Sequence, residues 1–364
     1  MKIAMSSIIK NEMKFIKDYL KRNKDADYIC LLDTGSTDGT WEYLQKEAKK
    51  NSKLIIAQKV YDNFRFDVAR NDSFDIIPND ADIIIRLDLD EYFSDDNWRE
   101  IIKNNITLLG KRHLYITHYR DNAAYNLTEY PQMLAVCRIT ETKKFKFNFC
   151  VHEMLSNDDW DCLGSRWDEF NHQWNKLLII HEPDRSKPRD SYIALCEQRC
   201  TEKLPVHHDE NGERLCTRAM LIHEYYRADM YDKALEQYEE ILKTEEHYDD
   251  PNYSLKDLVI YNSAACMYKM TNDINYIRNA MKSFSKYGYS QHLLYFALKD
   301  DLENTKQYKD IIEKQLEEHD KYLGRFAEYD ALGSKIKELA EGLNDNVKTK
   351  SKAVKKEKTN KKNK

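Results

Sequence analysis

The chain has 364 residues, with 41% apolar and 33% charged side chains, which is enough for packed cores under a charged surface and long enough for two domains. Its net charge of −5 is uneven: Lys348 to Lys364 carries nine lysines and one glutamate, a local +8, so the remainder carries −13. An acidic body excludes a specific nucleic-acid partner, which would require a basic folded face, and no apolar run approaches the roughly 20 residues that span a bilayer.

In chain order, the short apolar runs Ile3–Ile9, Tyr28–Leu32, Leu54–Gln58 and Ile83–Leu87 read as buried strands. Between them Glu12–Lys21, Thr40–Lys50 and Asp67–Ile77 have helical spacing. Strands alternating with helices predict a parallel sheet covered on both faces, with ligands beyond the carboxyl ends of its strands. Met1–Ile9 runs straight into Lys10-Asn11-Glu12 without a small-residue cleavage site, so it reads as a first strand and not as a signal peptide. Leu114–Asn148 breaks into strand-like pieces with aromatics, and Leu177–Ile180 is a last apolar run before His181.

After Leu215 the pattern turns helical. Leu221, Tyr225, Ala234 and Tyr238 match most of a tetratricopeptide pattern, with the small Ala234 allowing close helix approach. A weaker copy holds Tyr261, Ala264, Ala265 and Tyr268, with Ile277 where a small residue is expected. The expected organisation is residues 1–190 as the α/β domain, 191–214 as a linker, 215–343 as the helical domain and 344–364 as a disordered Lys-rich tail. The tail has too few apolar residues to fold alone. Its lysines favour solubility or weak peripheral contact with acidic lipids.

Two segments carry chemistry. Arg86-Leu87-Asp88-Leu89-Asp90-Glu91 follows a buried strand, and a strand continuing that far would turn Asp88 and Asp90 to one side. Paired carboxylates suit Mg²⁺ or Mn²⁺ bridging two phosphates; taken alone, the segment reads more readily as an acidic turn at the end of a strand. Asp33-Thr34-Gly35-Ser36-Thr37-Asp38-Gly39-Thr40 joins the second strand to a helix. Its glycines permit a left-handed backbone, Asp38 or Thr40 can cap the helix, and Asp33 can accept hydrogen bonds from a nucleobase or ribose. The segment also reads as an ordinary connector.

These segments, with Ile8-Ile9-Lys10-Asn11-Glu12 and Phe66-x2-Ala69-Arg70-Asn71, resemble the family 2 glycosyltransferases of GT-A (Rossmann-like) fold. Val151-His152-Glu153, Ile180-His181 and the helical continuation resemble the branch with tetratricopeptide repeats. The resemblance implies that Glu12, Asp33, Arg70 and Asp88 bind a nucleotide-sugar donor, with uracil the favoured base. It implies that Asp88 and Asp90 hold the metal, with His181 completing its shell or touching the diphosphate. Glu153 matches the acceptor-side general base of an inverting transfer; consecutive acids are replaced by His152-Glu153, which leaves Glu91 as the other candidate. The acceptor stays open between glycan, protein and lipid-linked glycan. The helical domain is expected to recognise it or to form a homodimer.

The eight cysteines show no CxxC pair, consistent with free thiols in the cytoplasm. Trp160, Trp167 and Trp174 either line an acceptor groove or hold an insertion on the core, and His207-His208 beside Asp209 reads as a loop. Two other readings compete. A nucleotidyltransferase would want a Gly-rich basic loop where Lys10-Asn11-Glu12 stands. A repeat scaffold without catalysis would not need Asp88, Asp90, Glu153 and His181.

Overall fold

In a computed structural model, which describes residues 1–106, 113–122, 127–140, 145–156, 177–182, 184, 190–202, 210–243 and 256–282, the early apolar runs become β1 (Ile3–Ile9), β2 (Tyr28–Asp33), β3 (Leu54–Gln58) and a short β4 (Ile83–Ile85). The intervening helices are α1 (Ile16–Arg22), α2 (Thr40–Ala48) and α3 (Phe66–Asp75). The predicted start of α1 at Glu12 is instead a turn, in which the amides of Phe15 and Ile16 donate to the Glu12 carbonyl at 3.0 and 2.9 Å. Then come β5 (Glu91–Phe93), α4 (Trp98–Asn105), β6 (His113–Asn122), β7 (Leu127–Thr140), β8 (Lys146–Asn148), β9 (Met154–Ser156), β10 (Leu178–His181) and α5 (Asp190–Arg199).

The main sheet has the order β3-β2-β1-β4-β7-β6-β10-β5. The pairs β1–β2, β2–β3 and β1–β4 are parallel, as the alternating pattern requires. The sheet is not parallel throughout: β7 runs antiparallel to β4, and β5 antiparallel to β10. Periodicity reports which face a side chain occupies and not which way the neighbouring strand runs, so these reversals were not readable.

Alternation along the strands builds two cores. Ile3, Met5, Ile29, Leu31, Ile83 and Ile85 point to one face, against Ile16 and Tyr19 of α1, Leu44 of α2, and Trp98 and Ile102 of α4. Ala4, Cys30 and Ile84 point to the other, against Phe74 of α3, Phe147 of β8 and Leu155 of β9. Each fully buried Ile or Leu contributes about 1.5–3 kcal/mol by leaving water. The strand order reverses beside β1, where β2 lies on one side and β4 on the other, and the loops after these strands flank the resulting crevice.

The described chain divides into two compact units, Met1–Asp121 with Met133–His208, and Asn122–Gln132 with Asp209–Lys364. In the second, α6 (Glu210–Arg227) packs on α7 (Tyr231–Leu242), and α8 (Lys256–Thr271) packs on α6, α7 and α9 (Asn275–Lys282). Ala234 is fully buried and Tyr225 nearly so. Ile277 is also buried. No described helix is long and apolar enough to cross a membrane. Trp160, Trp167, Trp174, His207, His208, Asp209 and residues 283–364, including the Lys-rich tail, lie outside the described residues.

Candidate active site

Of the residues singled out in the sequence, Glu12, Asp33, Asp88 and Asp90 follow or end β1, β2 and β4, whereas Arg70 lies on α3, Glu91 begins β5, Glu153 precedes β9 and His181 ends β10. Asp33 ends β2 and is fully buried. Its Oδ1 accepts hydrogen bonds from the amides of Gly35 and Ser36, both at 2.9 Å, and from Gln58 Nε2 at 3.0 Å. Its Oδ2 is buried with no protein partner, an acceptor left for something else. Gly35 and Gly39 hold φ of +107° and +93°, and Gly39 immediately precedes α2. Asp38 caps that helix from one residue further back: its Oδ1 accepts from the Thr40 amide at 3.0 Å, while Oδ2 accepts from the Met13 amide at 3.0 Å. Asn11, itself at φ +57°, accepts from the Thr37 amide at 2.7 Å. The Glu12 amide donates to Thr40 Oγ1 at 2.9 Å. The loops after β1 and β2 are therefore one hydrogen-bonded body that holds Glu12 beside the start of α2.

Asp88 and Asp90 sit on a turn and not on an extension of β4. The Glu91 amide donates to the Asp88 carbonyl at 2.9 Å, and the Glu91 carboxylate accepts from the Asp88 amide at 3.0 Å. That closed turn ends the strand and sends the two aspartates to different partners. The segment leading into it is held from beneath: Ser7 Oγ donates to the Leu87 carbonyl and lies 2.9 Å from Tyr19 Oη. Burial pushes the Tyr19 phenol well above its ordinary pKa, although Ser7 opposes the shift, so it remains a neutral hydrogen-bonding group.

Two arginines meet Asp88. Arg70 Nη2 approaches Oδ1 at 3.4 Å and Arg138 Nη2 approaches Oδ2 at 3.2 Å. Arg70 Nε also donates to Glu153, and Arg138 Nη2 donates to Glu91 at 2.5 Å. Burial disfavours the charge on both guanidiniums, but Glu153 with Asp88 around Arg70, and Glu91 with Asp88 around Arg138, outweigh it and raise both pKa values. The Phe66-x2-Ala69-Arg70-Asn71 motif is explained residue by residue. Ala69 is buried at the sheet and Arg70 enters the carboxylate cluster. Asn71 pairs with the backbone of Phe147, donating to its carbonyl at 2.9 Å and accepting from its amide at 2.8 Å.

His181 lies opposite Glu91 in the β10–β5 ladder, and this register brings its Nε2 to 3.3 Å from Asp90 Oδ2. Burial lowers its pKa, but the hydrogen bond with Asp90 and the charges of Asp90, Glu91 and Asp88 raise it overall. Among the described residues, no three His, Cys, Asp or Glu side chains stand together as a ready metal site. The donor types still fit a hard divalent cation: Asp90 and His181 are adjacent, and Asp88 is 35% exposed. Joining Asp88 to the same ion means exchanging arginine contacts for metal contacts.

The two candidate bases separate clearly. The Glu91 side chain is 1% exposed and fully engaged by Arg138 and the Asp88 amide. Glu153 is 14% exposed and held by Arg70 at the edge of the cluster. Sequence reasoning missed Arg138, Ser7, Tyr19 and Gln58. None stands in a motif, and the partners that give them their place lie 12 to 80 positions away in the chain.

Residues 8–147 match the family model described as glycosyl transferase family 2. The match covers 140 of the 364 residues, so the likeness to that family is a property of the N-terminal part of the chain. None of the curated proteins matches the chain. Among solved structures, TarS of S. aureus is 13% identical with a TM-score of 0.33, over 78% of this chain and 55% of that one. This chain thus spans about half the length of that protein. The TarS 1-349 structure is 14% identical with a TM-score of 0.30, over 78% and 91% of the two chains. The mannosyltransferase PcManGT of Pyrobaculum calidifontis, solved with GDP-Man and Mn²⁺, is 14% identical with a TM-score of 0.35, over 90% and 86%. With scores this low, the glycosyltransferase assignment rests on the family match and on the chain's own parallel-rich sheet.

Proposed function

We propose that the chain is a metal-dependent inverting glycosyltransferase that moves a sugar from a nucleotide sugar, UDP-linked in preference, to a glycan, protein or lipid-linked acceptor. The observation that carries this reading is the family 2 match over residues 8–147, together with Arg70, which contacts Asp88 within that span and Glu153 just beyond it. Asp33 Oδ2 receives an N–H or O–H of the nucleoside, and Glu12 lies on the same loop body. Asp88, Asp90 and His181 would hold Mn²⁺ or Mg²⁺, which when bound would neutralise the diphosphate leaving group.

Glu153, and not Glu91, is the residue placed to take the acceptor proton, because it alone of the two reaches the edge of the cluster. Arg70 fixes its carboxylate and links it to Asp88, so the proton-accepting and donor-binding ends are set by one side chain. Attack by the acceptor hydroxyl in a single displacement inverts the anomeric centre. The helices from Glu210 onward are read as repeat-like and suited to acceptor recognition or self-association.

The test is a thermal-shift screen of UDP-, GDP-, dTDP- and CMP-sugars with and without Mn²⁺, on the native chain and on Asp90→Ala. A ligand at 100 times its Kd raises stability by about 2.7 kcal/mol. A Mn²⁺-dependent shift with one donor, lost in Asp90→Ala, is the expected result. Absence of any shift would favour a non-catalytic scaffold.

A further inference from the structure

A run of aromatic rings leads from the surface to Glu153. Tyr61 meets Phe64 edge-on, with centroids 6.0 Å apart and planes at 81°. Phe64 meets Phe66 at 4.9 Å and 81°, Phe66 meets Tyr192 at 6.2 Å and 69°, and Tyr192 meets His152 at 5.4 Å and 80°. All five residues are half-buried and none is lost in either core cluster of the sheet, although rings that merely filled space would be expected there. His152 immediately precedes Glu153, so the run ends one position in the chain from the residue proposed to take the acceptor proton.

The run is held rigidly. The Phe66 amide donates to the Cys150 carbonyl at 3.0 Å, tying the loop before α3 to the segment before Glu153. Arg65 binds Asp67 through Nη2 at 2.8 Å and also pairs with Glu202. At the other end, Arg199 Nη1 donates to the carbonyls of Val151 and His152, both at 2.8 Å. His152 itself is held at φ +49°, a left-handed conformation that costs a non-glycine residue energy and persists only where the surroundings impose it. Polar groups edge the rings. Tyr61 Oη donates to Asp72 at 2.7 Å, Lys59 pairs with the same carboxylate at 2.6 Å, and Tyr192 Oη lies 3.3 Å from His152 Nε2.

We propose that Tyr61, Phe64, Phe66, Tyr192 and His152 form an acceptor subsite for a carbohydrate, with pyranose rings laid along the aromatic run and the terminal hydroxyl presented to Glu153. A pyranose has an apolar C–H face and a polar rim, and rings with polar tips and neighbouring charges match both. This rests on the glycosyltransferase reading and adds the acceptor class to it. Rigid rings bind with little loss of side-chain freedom, which suits a weak, extended ligand.

The experiment is saturation-transfer NMR on the full chain at millimolar concentrations of tetrasaccharides of glucose, galactose, mannose, rhamnose and N-acetylglucosamine. At least one is expected to receive saturation on its ring C–H protons. Phe64→Ala and Tyr192→Ala should each weaken that ligand's Kd at least fivefold. The donor-induced melting shift, read on the same samples, reports on the nucleotide end: its loss in the native chain would refute the glycosyltransferase reading, whereas its persistence isolates the subsite. Absence of saturation from every tetrasaccharide, or saturation unchanged in both variants, would overturn the proposal.

Discussion

Arg138 Nη2 donates to Glu91 Oε1 at 2.5 Å and so pairs a guanidinium with a carboxylate whose side chain is 1% exposed. The same nitrogen lies 3.2 Å from Asp88 Oδ2, so a single guanidinium steadies both ends of the turn that carries the DxD sequence. Removing it leaves Glu91 the Asp88 amide but takes away this guanidinium. Arg138→Met should cost roughly 3–5 kcal/mol in urea denaturation, the usual consequence of leaving a buried charge unpaired. Adding Glu91→Gln should restore part of the loss. A single variant as stable as the native chain would show that the pair does not support the turn.

Glu153 is held by Arg70 without being enclosed. Glu153→Gln keeps an oxygen for Arg70 but cannot take a proton, so the transfer rate should fall by about 10²–10⁴-fold with donor binding retained. Glu91→Gln should act chiefly on stability. If Glu153→Gln turns over normally with its acceptor, the base is elsewhere.

Asp33 has one carboxylate oxygen saturated by the loop and Gln58 and the other buried without a protein partner. Asp33→Asn can still accept from Gly35 and Ser36 with its carbonyl, but turns the second position into a donor. Nucleotide affinity, measured by calorimetry with UDP, should fall by about 10–100-fold, the scale of a hydrogen bond to a charged group. Unchanged affinity would remove Asp33 from the donor site.

Burial pushes the thiols of Cys150 and Cys266 up to about 12 from an ordinary 9.0, with Glu202 adding to the effect at Cys150. Each raised pKa contributes stability that is complete below pH 9 and is lost as pH rises toward 12, because unfolded thiols ionise first. Melting temperature should therefore decline above pH 9, less steeply in Cys150→Ala. In the folded chain at pH 8.5, mass-spectrometric mapping should find both thiols slow to react with iodoacetamide. Rapid labelling of either would contradict this burial.

Strands β1 and β2 were legible because each is a short apolar run buried on both faces of the sheet, β3 because it is a short apolar run although it is mostly half-buried, and the loop from Asp33 to Thr40 because its glycines and aspartates act locally. The Asp88–Asp90 pair was legible as chemistry but not as geometry. The side chain that closes its turn, Glu91, read as a possible base. Arg70 read as a donor contact from its motif, but that it spans Asp88 and Glu153 was not readable.

Local pattern alone determined the alternation of strands and helices, the two core faces and the residues that cap and bend the loop from Asp33 to Thr40, because each depends on neighbours within a few positions. Tertiary structure decided the direction of β5 and β7, the meeting of His181 with Asp90 and the enclosure of Glu91 by Arg138. These depend on groups 47 to 91 positions apart, which only packing brings within reach of one another's charge.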